Sequence, residues 1–185
     1  MPTLRPLQDY SPHDVVNLFS WSGTVPAYKG TMVKMLSSGW RSQDEPVEMF
    51  SAAGNSYSNT VSQRYRTTAQ IGVCGSGSAG TKDIPLGMLL YDVRETDENG
   101  EKLLYHPRKA AENDWVISGQ AAPVLTRGVV LYSGATLASD TPTLGEAVYT
   151  SPDGELTSAS TLGTTVGKTL GLLDARNHIL LKLEL

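Results

Sequence analysis

Three histidines, His13, His106 and His178, and one cysteine, Cys74, have the widest chemical range of any residues in this chain, and their placement argues against its use. The histidines are widely separated in sequence, each at or near an expected turn or element end, where solvated histidines are common. The many serines and aspartates would complete a Ser/His/Asp set on paper around any of them, so such a set discriminates nothing. No G-x-S-x-G elbow, H-E-x-x-H helix or spaced His/Cys set occurs to anchor nucleophilic or metal chemistry. A lone Cys74 forms no internal disulfide and no cysteine zinc cluster, and it is expected to be a small buried hydrophobe in a reducing cytoplasm. The chain therefore reads as a non-enzyme with no catalytic, cofactor-binding or metal-ligating residue and no cofactor.

Several motifs come close to a function and fail on context. Gly75-Ser76-Gly77-Ser78-Ala79-Gly80 spells G-x-G-x-x-G, but Lys82-Asp83-Ile84-Pro85 leads into a strand-like run instead of the helix that a pyrophosphate site requires. The same loop misses a phosphate cradle because Thr81 and Lys82 stand in the wrong order, so it reads as a linker. Met32-Val33-Lys34-Met35 is similar to the lysine-bearing tip of biotin-carrying domains, with Val33 where methionine is expected; a strand with a solvent-facing lysine is the plainer reading. Glu95, Asp97, Glu98 and Glu101 cluster at a turn without the alternating ligands of an EF-hand, which describes a solvated turn. Trp21, Trp40 and Trp115 each sit beside apolar partners, as core or interface tryptophans do.

The elements that must position these residues are mostly strands. With 185 residues the chain supports one sizeable core, and a net charge of -4 with dispersed Lys and Arg lacks the footprint of a nucleic-acid binder. No run of eighteen apolar residues offers a membrane span, and the opening Met1-Pro2-Thr3-Leu4-Arg5-Pro6 does not resemble a signal peptide, so a soluble protein outside the secretory route is expected.

Residues 1–24, with Pro2, Pro6 and Pro12, are expected to form an extended arm with one short strand, a helical turn capped by Ser11-Pro12 being the alternative. Residues 25–185 are expected to form a single β-barrel-like domain with an exposed loop at 51–63, where the sequence is polar and small. Arg66 to Val73 reads as a strand, and Asp97-Glu98-Asn99-Gly100 as a hairpin turn between Pro85–Arg94 and Lys102–Tyr105. Arg108 to Asn113, preceded by Pro107, is the one short helix.

The C-terminal turns are legible residue by residue. Ser151-Pro152-Asp153-Gly154 joins Gly145–Thr150 to Glu155–Ser158, with proline and glycine at the positions a tight turn favours. Asp174-Ala175-Arg176-Asn177 joins Val166–Leu173 to His178–Leu185, with Asn177 able to adopt the left-handed conformation. Ile179, Leu181, Leu183 and Leu185 share one face of the last strand, and Lys182 and Glu184 the other. A terminal strand this apolar requires burial, so the expected class is mainly β: a small antiparallel β-barrel with an extended N-terminal arm and one short helix.

The succession Gly128-Val129-Val130-Leu131-Tyr132, Gly145-Glu146-Ala147-Val148-Tyr149, Asp153-Gly154-Glu155-Leu156-Thr157, Val166-Gly167-Lys168-Thr169-Leu170-Gly171 and Ile179-Leu180-Leu181-Lys182-Leu183 resembles tailed-bacteriophage capsid cement, or head decoration, proteins. The middle segments Ile84–Leu103 and Ser118–Val124 look like phage structural proteins of the same kind, so the resemblance covers residues 84–185. It implies a structural virion protein, made in the host cytoplasm, that binds the outer surface of the assembled capsid and bridges subunits of the major capsid protein. Association with itself, as a trimer, is a further implied partner state, with no nucleic acid and no membrane. Leu4, Leu7, Val15, Val16, Leu18 and Phe19 are too sparse to form a core of their own. They become the candidate capsid contacts, docking on a neighbour or along the barrel edge by strand addition. A tail or receptor-binding β-module that reads host glycans with its tryptophans is the alternative, followed by a small β-barrel hydrolase.

Overall fold

The computed structural model describes residues 2–7, 9–36, 69–75, 83–160 and 163–185. The loop expected at 51–63, Trp40 and residues 76–80 of the glycine-rich linker lie outside them. The described residues are mainly β. The N-terminal part contains β1 (Thr3–Pro6), β2 (Val15–Val16), β3 (Ser20–Trp21), β4 (Met32–Met35) and β5 (Gln70–Val73). There follow β6 (Gly87–Leu89), β7 (Asp92–Arg94), α1 (Pro107–Glu112), β8 (Trp115–Ile117), β9 (Val124–Leu125) and β10 (Arg127–Ser133). The C-terminal part contributes α2 (Ala135–Asp140), β11 (Ala147–Thr150), β12 (Leu156–Thr157), β13 (Thr165–Thr169) and β14 (Ile179–Glu184).

These strands build three layers. An outer sheet has the order β1-β10-β14-β13-β11-β12, a middle sheet the order β2-β9-β6-β4-β5-β3, and β7 and β8 pair separately as a parallel ribbon. Consecutive residues of a strand point to opposite faces, and the middle sheet uses both. Met32, Met88 and Leu125 join Leu4, Val130, Tyr132, Val148, Leu156, Ile179, Leu181 and Leu183 in the core between the two large sheets. Their neighbours Val33, Leu89 and Val124 join Phe19, Trp21, Ala27, Ile71, Val93 and Val116 in a second core on the other side. The middle sheet is thus buried on both faces, which explains its unbroken apolar runs such as Gly87-Met88-Leu89-Leu90. The third layer closes with α1, where Ala110 packs on Leu103 and Ile117.

Three expectations change. Among the described residues the strands order as two sheets, ending at β1 and β12 and at β2 and β3, and do not establish the closed barrel that was expected, although β3 is bridged on its far side from Ser20 to Ala121 and the Ala122 N–H donates to the Phe19 carbonyl. The parallel pairings β3 with β5 and β7 with β8 also depart from an all-antiparallel barrel, the second because α1 supplies the crossover that parallel strands need. A second helix, α2, stands beside the one expected, and the Glu155 carboxylate from a distant turn accepts both the N–H and the hydroxyl of Thr136 in its first turn. Local sequence does not announce that helix because its cap comes from elsewhere in the chain.

The expected turns are present. Ser151 and Glu155 close the first hairpin, with Gly154 at φ +72, and Asn177 lies at φ +60 in the second. Around Asp97 the turn forms with a single bridge between Thr96 and Lys102, but Leu103–Tyr105 continue as a 3-10 turn and not as a return strand. In the last strand Ile179, Leu181 and Leu183 are buried as expected, whereas Leu185, one residue beyond it, is 44 % exposed. Among the described residues no helix is long and apolar enough to cross a membrane.

Candidate interaction surface

The N-terminal residues are extended, as expected, but they are built into the domain and do not stand apart from it as an arm. β1 pairs antiparallel with β10 and forms one edge of the outer sheet; β2 pairs with β9 and β3 with β5, forming both edges of the middle sheet. The six candidate contacts therefore divide. Leu4 is buried in the core between the large sheets, and Phe19 in the second core, so neither is available to a partner. For Leu4 the physical reason is the alternation of edge strand β1, which turns it inward between exposed neighbours; Phe19 is buried with Ser20 and Trp21 because this stretch is held on both sides, by β5 and by Ala121–Ala122. Val15 and Val16 are half-buried on β2. Leu7 and Leu18 remain open, at 52 % and 51 % exposure.

Cys74 is buried, and its thiol is pushed up to about 11, by burial first and by the Asp83 carboxylate second, so it stays protonated and unreactive at neutral pH. Asp83 accepts from Lys34 Nζ at 2.7 Å and from the Gly75 N–H at 3.0 Å, which makes Lys34 a tether for the start of the glycine-rich segment. Asp97 is buried at its turn, accepts the N–H groups of Asn99 and Glu101, and pairs with Lys109 of α1. The Lys109 ammonium is the main cause holding the Asp97 carboxyl below its ordinary value. This cluster fastens a turn to a helix and leaves no open ligand position. His106 lies 3.7 Å from Glu101 and His178 3.5 Å from Asp174, both in exposed pairs. Among the described residues no group of three or more His, Cys, Asp or Glu side chains is placed to hold a metal.

Two tryptophans are occupied. Trp21 is buried and its indole N–H donates to the Thr24 carbonyl. Trp115 has the Arg94 guanidinium 4.6 Å from its ring centroid, and Arg94 in turn is held by Asp92 at 3.0 Å and lies 6.0 Å from the Tyr28 ring. Asp92 also accepts the Lys29 N–H, so the stack ties β7 to the turn before β4.

A different surface was not singled out by sequence. The outward side of the outer sheet gathers Lys168 and Lys182 from the β13–β14 hairpin with Arg127 of β10 and Arg5 of β1, strands brought beside it only by the fold. The alternation of Lys182 and Glu184 with leucines was the one local signal of that face. Comparison of the chain with protein-family models, with curated proteins and with solved structures gave no match of any of the three kinds.

Proposed function

We propose that the protein is a structural virion component that binds the outer surface of an assembled tailed-phage capsid and stabilises its lattice by bridging coat subunits. One observation carries the reading. The five C-terminal segments that resemble head decoration proteins fall on β10, β11, β12 with the turn before it, β13 and β14, which are neighbours in one sheet, and this contiguity supports the reading; the middle segments Ile84–Leu103 and Ser118–Val124 fall on β6, β7 and β9 outside that sheet. The edge strands β1 and β2, with Leu7 and Leu18 exposed in the same N-terminal stretch, supply rims of the kind that strand addition or apolar docking uses. The acidic net charge supports an outer position, because an acidic subunit on the inner wall would face a polyanionic genome.

The glycan-reading alternative has less support, since Trp21 is buried and Trp115 carries Arg94 against its ring. Quantitative mass spectrometry of purified particles, combined with chemical cross-linking, tests the proposal. The expected result is a copy number fixed by capsid symmetry and cross-links to the major capsid protein. A few copies per particle, or none, would overturn it in favour of a tail or non-virion role.

A further inference from the structure

The outward face of the outer sheet has a charge opposite to that of the chain. Cross-strand register and strand alternation bring Arg5, Arg127, Lys168 and Lys182 to that side, with Lys168 opposite Lys182 and Arg127 opposite Glu184. Glu184 is the one carboxylate on the six strands. It lies 3.0 Å from Lys182, whose hydrogen bond is the main cause holding its carboxyl below the ordinary value, with Arg127 and Lys168 acting in the same direction. Around the rim, Asp174 is engaged by the N–H groups of Arg176 and His178, and Asp140 by Thr157 and Ser158. Among the described residues, Glu184, Asp174 and Asp140 are thus already engaged, and the four cations outnumber the one carboxylate on the strands.

Between these cations runs an aliphatic row. Leu131 stands opposite Leu180, and Leu170, the residue after β13, donates its N–H to the Leu180 carbonyl, so three leucines lie side by side. Leu131 and Leu180 are half-buried and Leu170 is 37 % exposed. Arg5 pairs with Leu131 at one end, and Lys182 and Val129 form the next row. A surface of this composition is satisfied by a partner that brings carboxylates to the cations and aliphatic side chains to the leucines. A phosphate backbone would answer the cations but leave the leucine row uncovered. A second copy could present exposed carboxylates such as Glu95, Glu98 and Glu101 of the third layer, in a heterologous contact that closes into a ring only at a suitable rotation; self-association is therefore one of the outcomes of the test below.

We infer that this face docks a carboxylate-bearing polypeptide surface with aliphatic side chains between its acids. The identification of that surface with the coat lattice rests on the capsid reading above. The test is binding of the purified full-length chain to particles that lack it, comparing wild type with the double variant Lys168→Glu/Lys182→Glu. A control, Lys102→Glu/Arg108→Glu, makes the same change in net charge on exposed residues of the third layer. Thermal melts of all three proteins establish that they are folded.

The expected result is at least about a tenfold loss of affinity for the face variant, wild-type binding by the control, and wild-type binding that weakens with salt. Equal binding by all three, or equal loss in both variants, overturns the assignment of the face. Failure of the wild type itself to bind particles overturns the capsid reading, and the coat as partner with it. Fluorescence anisotropy with a short DNA duplex and sedimentation of the free protein complete the test. Wild-type duplex binding, or self-association, that is abolished by the face variant would identify a different partner and overturn the inference.

Discussion

The two six-stranded sheets solve the same burial problem in different ways. In the outer sheet, β14 alternates buried Ile179, Leu181 and Leu183 with half-exposed Leu180 and Lys182 and exposed Glu184, the pattern of a sheet with one face on a core and one in solvent. In the middle sheet, β6 is buried at all three residues, because Met88 serves the core toward the outer sheet and Leu89 the core toward the third layer. A strand with one free face keeps half its positions for solubility or recognition. A strand covered twice has none to spare, and it is the outer sheet that carries the cationic surface.

The largest expected effect comes from removing what joins the two sheets at their edges. Deleting residues 2–21 takes β1 from the outer sheet, β2 and β3 from the middle one, and Leu4, Phe19 and Trp21 from two cores. The expected outcome is loss of a cooperative unfolding transition, read by circular dichroism during a thermal melt. A truncated chain that melts cooperatively near the wild-type temperature would show that the N-terminal residues form a dispensable arm after all.

Neighbouring substitutions sharpen the contrast between the sheets. Met88→Ala and Leu89→Ala, one residue apart, should each cost about 2–5 kcal/mol, since each leaves a cavity in a different core. In β14 the equivalent neighbours should separate, with Leu183→Ala costing about 2–5 kcal/mol and Lys182→Ala no more than about 0.5 kcal/mol. Urea titrations of the four variants measure this directly. Similar losses at Leu183 and Lys182 would mean that the outer sheet is also covered on both sides, and the comparison would fail.

A smaller effect concerns pH. Burial is the largest single influence and acts to raise the Glu155 carboxyl, but the opposing influences together, led by the N–H and hydroxyl of Thr136, hold the group below its ordinary value. A depressed folded-state value gives stability that is present above the unfolded carboxylate range and is lost as pH falls through the lower folded value. Glu155→Gln should therefore lower the melting temperature at neutral pH and reduce the dependence of stability on pH on the acid side. Parallel acid-side melting curves for variant and wild type would show that Glu155 does not hold α2 through its charge.

The elements legible in the sequence are those whose causes are local. The turns at Ser151–Gly154 and Asp174–Asn177 could be read because proline, glycine and asparagine select backbone angles within four residues. The one-sided face of β14 could be read because alternation records a single solvent boundary, and α1 because Pro107 opens a run of good helix formers. Leu185 escaped because periodicity does not say where a strand ends.

Other features were fixed only when distant segments met. Edge pairing has no sequence signature beyond permissive strand residues, so Leu4 and Phe19 read as sparse and became core only when β10 received β1 and when the Ala122 N–H met the Phe19 carbonyl beside β3 and β5. Doubly buried strands read as apolar runs without revealing that two separate cores claim alternate residues. The cationic face is the clearest case. Arg5, Arg127, Lys168 and Lys182 are dispersed along the chain, and register alone gathers them around a row of leucines, because in a sheet proximity is set by hydrogen-bonded neighbours and not by sequence distance.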